Sequence, residues 1–525
     1  MPNETQGILF VDVRLWQPPQ AKTWEEAPQG LQPATLRPRL QVINRRQLLW
    51  RAVDVEQLIG PDHPARAIWE LMGQRDLTAF YEPIEAVDGV AGRPARDPRL
   101  LLSLWIYAYM DGIPSAREMA RQCDFNPAYQ WLTAATTVSA HTLSDFRTQH
   151  GEALKDLATQ LLGLLAEEQM VDLQQVTQDG TKVRASAGAD TFRRQGSLER
   201  HLQEARQRIE ELDRSDGEEV SCLRQQARQR AAQERLSRLE KAQRELRKIQ
   251  QGRPAEEKPE ARVSLTDPEA RIMKQNDGGY APSYNVQLTT DAKQTVIVSV
   301  EVTQEGGDAE QLQPAMERLQ QETGRVPQQA LADGGYTNRR NIVAMARAGI
   351  DLIGPPLEGQ VQKQTLYQIR GVAPEYRPEA FAFDAGANQY TCPEGKILRY
   401  KTRQALTGQT KYTYAADQQD CGACAQKPRC CPTSKQGRLL VRAEDGPEVA
   451  AFRAKMETEE AKSLYRKRGA VAEFPNLVIK ERFGLRQFSV RGLQKVGVEA
   501  LWVCLTFNVQ QWIRLCWQRQ LVAAS

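Results

Sequence analysis

The decapeptide Gln329–Asn338, which reads Gln-Ala-Leu-Ala-Asp-Gly-Gly-Tyr-Thr-Asn, decides the fold. Its apolar start predicts a short buried strand that ends at Asp333, and Gly334 and Gly335 permit a tight turn directly after the acid. A helical pattern follows at 339–348. Because carboxylates at the carboxyl ends of strands face the crevice in which α/β sheets bind ligands, we expect Asp333 to line such a crevice.

The patterns on both sides of this decapeptide predict a mixed α/β sheet. Asp179 occupies a similar position to Asp333, because a strand pattern that begins at Leu173 ends at Asp179 and Gly180. Asp308, just before the helix predicted from Glu310, is expected to cap that helix, and the alternative is a role in the site. The further predicted strands lie at 284–288, 295–302 and 350–353, and the further helices lie at 310–322 and from about 450 onward. Three strands followed by alternating helices and strands are the order of a ribonuclease-H-like fold.

Two insertions interrupt this order. The apolar residues that step by four and three are Leu198, Leu202, Ala205, Ile209 and Leu212. This heptad spacing predicts a coiled-coil helical hairpin at 196–261, whose charged faces are either solvated or covered by a partner helix. The second insertion, 357–450, contains five of the nine cysteines and few apolar runs, so we expect irregular structure there. The remaining segments, 169–195, 262–356 and 451–525, form the predicted core.

Two segments precede the core. Residues 1–44 are rich in Pro and Gln and are expected to form a loosely packed arm, whereas 45–168 have helical periodicity. Within the helical segment, Ser115–Asn126 predicts a short capped helix and a tight corner before another helix. This pattern resembles a helix-turn-helix, although such corners are also common in plain helical bundles.

The chain of 525 residues has a net charge of only +4, but the charge is unevenly distributed. Residues 461–525 contain 11 Lys or Arg and 3 acidic residues, which suits a polyanion such as nucleic acid or, alternatively, a solvated helix surface. The chain has no apolar run of membrane-spanning length, and its first residues lack a secretory signal pattern. We therefore expect a cytoplasmic protein that does not associate with membranes.

Asp179, Asp333 and Glu473 are the candidate catalytic carboxylates. Mg²⁺ prefers oxygen ligands and usually takes one or two protein carboxylates together with substrate phosphate, so acids at two strand ends predict a Mg²⁺ site. Glu473 is the candidate third acid, because it precedes Lys480 by seven residues and two helical turns place both on one face. Either Asp-Gly pair taken alone would be interpreted as an ordinary turn.

Several motifs together make the chain resemble bacterial insertion-sequence transposases of the DDE type, in the IS-four-like superfamily and nearest its IS-eleven-eighty-two branch. The motifs that carry the resemblance are Gln178–Ala185, Asp267–Arg271, Ala332–Asn338, Ala472–Phe474 and Arg491–Lys495. The resemblance covers about residues 45 to 520. It implies a ribonuclease-H-like catalytic core at 169–195, 262–356 and 451–525, preceded by a helical DNA-binding domain at 45–168.

The superfamily spaces Tyr, Arg, Glu and Lys in a fixed way in its third block. The residues that fit this spacing are Tyr465, Arg468, Glu473 and Lys480. There is one departure, because four residues instead of three separate Arg468 from Glu473. The resemblance implies that Arg468 and Lys480, together with Tyr465 and Arg491, contact DNA. Glu481 is the rival third acid, and its alternative interpretation is a solvated neighbour of Lys480.

The resemblance also implies a mechanism and its partners. The three carboxylates hold two Mg²⁺ ions, or Mn²⁺; water attacks the phosphodiester at the end of the element, and the freed 3′-hydroxyl attacks target DNA, directly or after a hairpin intermediate. The substrate is double-stranded DNA with terminal inverted repeats, and the active complex is a homodimer. The alternatives are a transposase-derived DNA-binding protein with an inactive core and a scaffold built on the coiled-coil hairpin, which leaves the acid motifs unexplained.

The second insertion contains a cluster of cysteines. They are Cys392, Cys421, Cys424, Cys430 and Cys431. A C-x-x-C pair with further cysteines at a distance is typical of tetrahedral zinc. We expect four of the five to hold a structural Zn²⁺ in a zinc-ribbon-like insertion, and the alternative is reduced thiols without metal.

Overall fold

The computed structural model describes residues 52–86, 94–214, 222–275, 277–357 and 366–524. The arm predicted at 1–44 lies outside these ranges. Within them, no helix combines the length and the apolar character that crossing a membrane requires.

A mixed sheet of six strands carries the candidate acids. The strands before the second insertion are β1 (Gln175–Arg184), β2 (Phe192–Arg193), β3 (Val263–Ser264), β4 (Arg271–Lys274), β5 (Tyr280–Asp291), β6 (Val296–Thr303), β7 (Gln329–Ala332) and β8 (Asp351–Ile353). β1 is central, because it pairs antiparallel with β5 on one side and parallel with β7 on the other. β8 extends the parallel part beyond β7, and β4 and β6 both pair antiparallel with β5. β2 and β3 form a separate two-stranded ladder.

Asp179 lies in the middle of β1, so the prediction that the strand ends at this acid is wrong. The parallel pairing with β7 does end there, at Gln178 opposite Ala332. β1 nevertheless continues to Arg184, because β5 stays paired with it along that whole length. At Asp179, β1 is therefore still paired with β5 on one side but no longer paired with β7 on the other.

Helices cover the sheet and form the segment before it. The labelled helices are α1 (Pro64–Gly73), α2 (Thr78–Tyr81), α3 (Pro98–Met110), α4 (Ala116–Phe125), α5 (Pro127–Thr133), α6 (Ala140–Gln149), α7 (Gly151–Glu167), α8 (Gln195–Arg214), α9 (Cys222–Gln251), α10 (Leu312–Thr323), α11 (Arg339–Arg347), α12 (Gln418–Gly422), α13 (Lys427–Cys430), α14 (Pro447–Glu457), α15 (Glu459–Leu477), α16 (Leu493–Trp512) and α17 (Gln518–Ala524). The corner predicted at Ser115–Asn126 is present, because Ser115 caps α4 and Asn126 caps α5.

α16 joins the helical segment to the sheet within one hydrophobic core. It is buried on nearly every face, as expected of a helix inside a core. The ring centroid of its Trp502 lies 6.4 Å from that of Trp105 on α3. On the sheet side, Asn508 Oδ1 accepts the backbone N–H of Ile297 at 2.9 Å, and its Nδ2 donates to the Ile297 carbonyl at 2.7 Å. One amide thus satisfies both backbone groups of a residue on β6.

A buried ion pair also links α6 to α16. Arg147 Nη1 lies 3.4 Å from Glu499 Oε1, and the two side chains are only 5% and 1% exposed. Arg147 donates to the Pro114 carbonyl at 2.9 Å, and Glu499 Oε2 accepts the backbone N–H of Ser489 at 3.0 Å. Both charges are therefore paired and hydrogen-bonded, which is the condition under which a protein interior tolerates them.

Both predicted helices of the coiled-coil hairpin are present as α8 and α9. Leu198, Leu202 and Ala205 of α8 pack against Leu239 and Leu246 of α9 in a small hydrophobic cluster. The cluster is separate from the main core, so the hairpin has its own packing.

The second insertion is not irregular as predicted, because it contains a five-stranded antiparallel sheet. Its strands are β9 (Ala382–Asp384), β10 (Gln389–Thr391), β11 (Ile397–Leu406), β12 (Gln409–Ala416) and β13 (Leu439–Asp445), in the order β13-β12-β11-β10-β9. Tyr414 lies opposite Leu440 and Leu398 lies opposite Ala416, and all four are buried together. The apolar residues alternate with polar ones along these strands, which explains why no apolar run was visible.

Candidate active site

Asp179 and Asp333 lie side by side because their strands are adjacent and parallel. Gln178 pairs with Ala332, so the next residue on each strand enters the same crevice. β7 ends at Ala332, and Asp333 Oδ1 accepts the backbone N–H of Gly335 at 2.8 Å in the turn that follows. The sheet thus presents two carboxylates at one position.

Helix α15 brings two further side chains to this pair. Arg468 Nη2 lies 3.0 Å from Asp179 Oδ1 and 3.8 Å from Asp333 Oδ2, so one guanidinium bridges both acids. Asn476 Nδ2 donates to Asp179 Oδ2 at 2.7 Å. Because Arg468 and Asn476 are eight residues apart, little more than two turns, they lie on one face of the helix.

The crevice contains more negative charge than its arginine neutralises. Burial raises the pKa of Asp179 to about 6; the charges of Asp333 and Asp308 add to the rise, whereas Arg468 opposes it. Because this folded-state pKa lies above the ordinary value, the contribution of Asp179 to stability is present at low pH and is lost as the pH rises through about 6. At neutral pH the folded chain therefore contains Asp179 in its charged form, which burial destabilises.

The prediction that Asp308 caps a helix is wrong. α10 begins at Leu312, after Gln311, and receives no side-chain cap. Asp308 Oδ1 instead accepts hydrogen bonds from Asn285 Nδ2 and Gln287 Nε2, both at 2.8 Å. These two amides lie on one face of β5 because they are two residues apart. Because Asn285 and Gln287 hold the Asp308 carboxylate, it does not cap the N-terminus of α10.

Lys480 reaches the crevice from a π-helical turn at Val478–Arg482. Burial lowers the pKa of Lys480, whereas the nearby charge of Asp179 raises it. Pro475, which lacks a backbone N–H, precedes the turn and favours a change in the helical bonding pattern. The regular two-turn spacing expected between Glu473 and Lys480 is therefore not present.

The two candidate third acids, Glu473 and Glu481, are both on the surface. Glu473 is exposed, and its Oε1 would lie 3.6 Å from a Cβ added to Gly469, one turn earlier in α15. The structure does not bring Glu473 together with Asp179 and Asp333 as a group of three metal ligands. The rival Glu481 forms a surface ion pair with Arg486.

The two other predicted DNA contacts lie in the loop before α16 and on α15. Arg491 is exposed, and its Nε donates at 2.9 Å to the carbonyl of Ser186, two residues after β1 ends. Tyr465 is half-buried on α15 and packs against the main core.

No group of three His, Cys, Asp or Glu side chains could hold a metal ion in the part of the chain that the structure describes. Arg468 occupies the space between Asp179 and Asp333 in this structure. The donor chemistry nevertheless suits a hard cation, because Asn476 Oδ1 is buried next to Asp179 and has no hydrogen-bond partner among the described residues. Asn476 is the residue of this crevice that sequence analysis missed.

The five cysteines of the second insertion line one small pocket. Cys392 Sγ accepts the backbone N–H of Lys396 at 3.2 Å, and Cys421 Sγ accepts that of Arg438 at 3.4 Å. Burial raises the pKa of Cys430 to about 12, against the opposing charge of Arg438. The thiols therefore converge on one space, although no three of them form a metal-holding group in the described structure.

Two segments of the chain match known protein families. Residues 391–513 match a family described as a transposase DDE domain, and residues 53–149 match a transposase domain, DUF772. Together these matches support a DDE transposase, and the first includes Glu473 and the cysteines but neither Asp179 nor Asp333.

No curated protein matches the chain. A solved structure, the cryo-EM structure of piggyBac transposase synaptic complex with hairpin DNA, has 6% sequence identity and covers 85% of this chain and 75% of its own. The TM-score of 0.30 is too low for this likeness to carry an argument.

Proposed function

We propose that the chain cuts and joins the ends of an insertion sequence, as a DDE transposase of the IS-four-like superfamily nearest its IS-eleven-eighty-two branch. The observation that carries the proposal is the pair Asp179 and Asp333, adjacent on parallel strands and bridged by Arg468. Phosphodiester cleavage needs carboxylates that can hold a divalent cation next to basic groups that position the DNA backbone. The two transposase matches support the same function.

Each residue of the crevice has a proposed role. Asp179 and Asp333 would hold Mg²⁺ or Mn²⁺, which supplies Lewis-acid activation of the attacking oxygen and stabilisation of the leaving one. Glu473, exposed on the helix that covers the crevice, is the proposed third carboxylate. Arg468 and Lys480 lie where they can neutralise phosphate oxygens next to the cleaved bond.

The proposed domain organisation follows the sheet. The order β6-β5-β1-β7-β8, antiparallel up to β1 and parallel after it, supports a ribonuclease-H-like core at 169–195, 262–356 and 451–525. The segment 45–168 is the proposed DNA-binding domain, with α4 and α5 as a helix-turn-helix candidate. The proposed partners are duplex DNA with terminal inverted repeats, target DNA and a second copy of the chain.

A DNA-binding protein with an inactive core is the second candidate function. The specific observation in its favour is that Glu473 is not grouped with the two aspartates. A duplex that contains the sequences flanking the gene distinguishes the two functions. An active transposase nicks this duplex when Mg²⁺ is added, whereas an inactive relative binds it and leaves both strands intact.

Lys480 and Arg491 are expected to contribute to DNA binding through phosphate contacts. Lys480→Gln and Arg491→Gln should each reduce the slope of log affinity against log salt concentration by about one unit, because each removes one displaced counterion. Fluorescence anisotropy over a salt series measures the slope. Arg208→Gln, which removes an exposed ion pair with Glu211 on α8, is the matched control and should leave the slope unchanged. Unchanged slopes in both test variants would place the DNA path elsewhere.

We further propose one structural Zn²⁺ per chain in the cysteine pocket, with four of the five thiols as ligands. The convergence of Cys392, Cys421, Cys424 and Cys430 on one space supports this, as do the backbone N–H groups that bond two of the sulfurs. Thiolate-bound zinc would replace the buried thiols of Cys430 and Cys431, whose pKa burial raises, with charge-neutralised ligands.

Replacing Cys421 and Cys424 with Ser should remove the metal and make the segment 366–445 the first to be proteolysed. Binding of zinc is coupled to folding of small modules, so loss of the metal loosens them. Elemental analysis of protein purified without chelator under reducing conditions measures the metal. The matched control is Cys123→Ser on α4, which should retain full zinc. A wild-type content below about a tenth of an equivalent would leave the cysteines as ordinary thiols.

A further inference from the structure

The two helices of the coiled-coil hairpin differ strongly in charge. α8 contains four Arg and five Asp or Glu, whereas α9 contains nine Lys or Arg and three Glu. The cluster that packs the two helices together is apolar, so the packing of the hairpin does not require the positive charge of α9. This surplus therefore needs another explanation.

The arginines of α8 are mostly paired, and those of α9 are not. Three of the four arginines of α8 form ion pairs, which are Arg206–Glu240 at 3.8 Å, Arg208–Glu211 at 2.9 Å and Arg214–Glu210 at 3.5 Å. In the part of the chain that the structure describes, none of the seven arginines of α9 forms an ion pair, and the pairs of this helix involve its lysines and glutamates. Like charges one turn apart destabilise a helix, so α9 retains an unfavourable arrangement that α8 avoids.

Three of these arginines form a stripe along one exposed face of α9. Arg228, Ala231, Arg235 and Arg238 follow one another at steps of three, four and three residues, so they fall within an arc of about 80°. All four are exposed. Glu234, four residues before Arg238, forms no ion pair with another described residue. The arginine stripe, Arg228, Arg235 and Arg238, is about 15 Å long.

The inner end of the arginine stripe lies next to the point where the hairpin is fixed to the rest of the chain. Lys241, about one turn after Arg238, lies 2.6 Å from Glu269. Glu269 Oε2 also accepts the backbone N–H of Leu493, the first residue of α16, at 3.0 Å. Leu493 is two residues after Arg491, which is exposed and is a proposed DNA contact. The stripe therefore extends outward along the hairpin from the neighbourhood of Arg491.

We propose that the arginine stripe of α9 contacts the phosphate backbone of duplex DNA, outside both the crevice and the segment 45–168. The inference deepens the proposed function and rests on it for the source of the DNA. A guanidinium can donate two parallel hydrogen bonds to one phosphate, which suits arginine to this contact. A partner helix would instead need an apolar seam, and the face offers only Ala231 between its arginines. Phosphate contacts carry no sequence information, so the stripe should bind any duplex.

The test is the salt dependence of binding of the full chain to a fluorescently labelled duplex of arbitrary sequence, without divalent cations. The variant combines Arg228→Gln, Arg235→Gln and Arg238→Gln. The slope of log affinity against log salt concentration should fall by about three units, since each lost phosphate contact removes about 0.9. The matched control removes the same charge from the other helix of the hairpin by combining Arg206→Gln, Arg208→Gln and Arg214→Gln. Because these three arginines are already paired, the control should change the slope by less than about one unit.

A variant with Lys at the three stripe positions separates charge from structure. It keeps the positive charge and should retain most of the wild-type slope, because counterion release depends on charge. Loss of the slope with Lys as well as with Gln would mean that the substitutions act through the structure of the hairpin, and would overturn the inference. Gln is a good helix former, so the Gln variant should fold, and its circular dichroism checks this.

A wild-type slope in the folded Gln variant would also overturn the inference, and so would an equal fall in the α8 control. If that wild-type slope came with loss of a dimer in sedimentation, the stripe would be a contact between two copies of the chain. Nicking of an end-bearing duplex in Mg²⁺ tests the proposed function separately. The expected fall in slope without nicking by the wild type would support the DNA contact and reject the transposase. Nicking by the wild type with an unchanged slope in the Gln variant would do the reverse.

Discussion

Asp179→Asn and Asp333→Asn are each expected to abolish DNA strand cleavage. Each change removes one of the two adjacent carboxylates that would hold the cation, and little packing is lost because Asn has the same shape. We expect the single-turnover rate on an end-bearing duplex to fall by about a thousandfold or more, which corresponds to about 4 kcal/mol of barrier. Quantification of nicked product on denaturing gels measures the rate.

The folded state should survive these changes. Burial disfavours the charge of Asp179, so its replacement by Asn at neutral pH should not lower the free energy of unfolding, and the duplex should still bind. Asp384→Asn, at the last residue of β9, is the matched control and should cleave as the wild type does. Full cleavage by either Asp179→Asn or Asp333→Asn would remove that carboxylate from the proposed chemistry.

Glu473→Gln is expected to cause a similar loss of cleavage. Glu481→Gln is the control from the same part of the chain, because Glu481 is engaged by Arg486 on the surface. Normal cleavage by Glu473→Gln together with a loss in Glu481→Gln would show that the wrong third acid was chosen.

Arg147→Met is expected to destabilise the protein by about 3–5 kcal/mol. The substitution keeps most of the side-chain length but leaves Glu499, which is 1% exposed, as an unpaired buried charge. It also removes the hydrogen bond to Pro114 and the contact with the face of Trp105, whose ring centroid lies 4.6 Å from the guanidinium carbon. Urea unfolding followed by tryptophan fluorescence measures the change.

An exposed ion pair provides the comparison for this buried one. Lys155→Met breaks the pair with Glu152, whose partners are 63% and 87% exposed, and should cost less than about 1 kcal/mol. Adding Glu499→Leu to Arg147→Met should recover much of the loss, because the unpaired charge is then gone. A loss below about 1 kcal/mol in Arg147→Met alone would show that water or another cation reaches Glu499.

Features that depend on local sequence could be predicted closely. The hairpin helices α8 and α9 follow from heptad spacing, since Leu198 and Leu202 are one helical turn apart and bury the same stripe. The strand before Asp333 is short and followed by two glycines, and it was placed within one residue. The length of β1 could not be found in this way, because its continuation past Gly180 depends on pairing with β5, far along the chain.

The candidate site and its surroundings could be predicted only in part, because the contacts there involve distant partners. Asp308 precedes a helix and therefore looked like a cap, but Asn285 and Gln287 on β5 bond it instead. A polar pair two residues apart in an otherwise buried strand was the available signal for this. Asn476 is distinguished from its neighbours by its contact with Asp179. Predicting this contact requires knowing how α15 crosses the sheet.

Contacts between distant parts of the chain, in the core and in the crevice, have a consequence during protein synthesis. Arg468 is 289 residues from Asp179 in the chain, and Arg147 is 352 residues from Glu499. At about 5–20 residues per second, the ribosome exposes Asp179 roughly 15–60 s before it completes the helix that covers it. A chain that terminates early would carry both aspartates but not the helices that organise them. Synthesis must therefore pass α15 before Arg468 and Asn476 can contact Asp179.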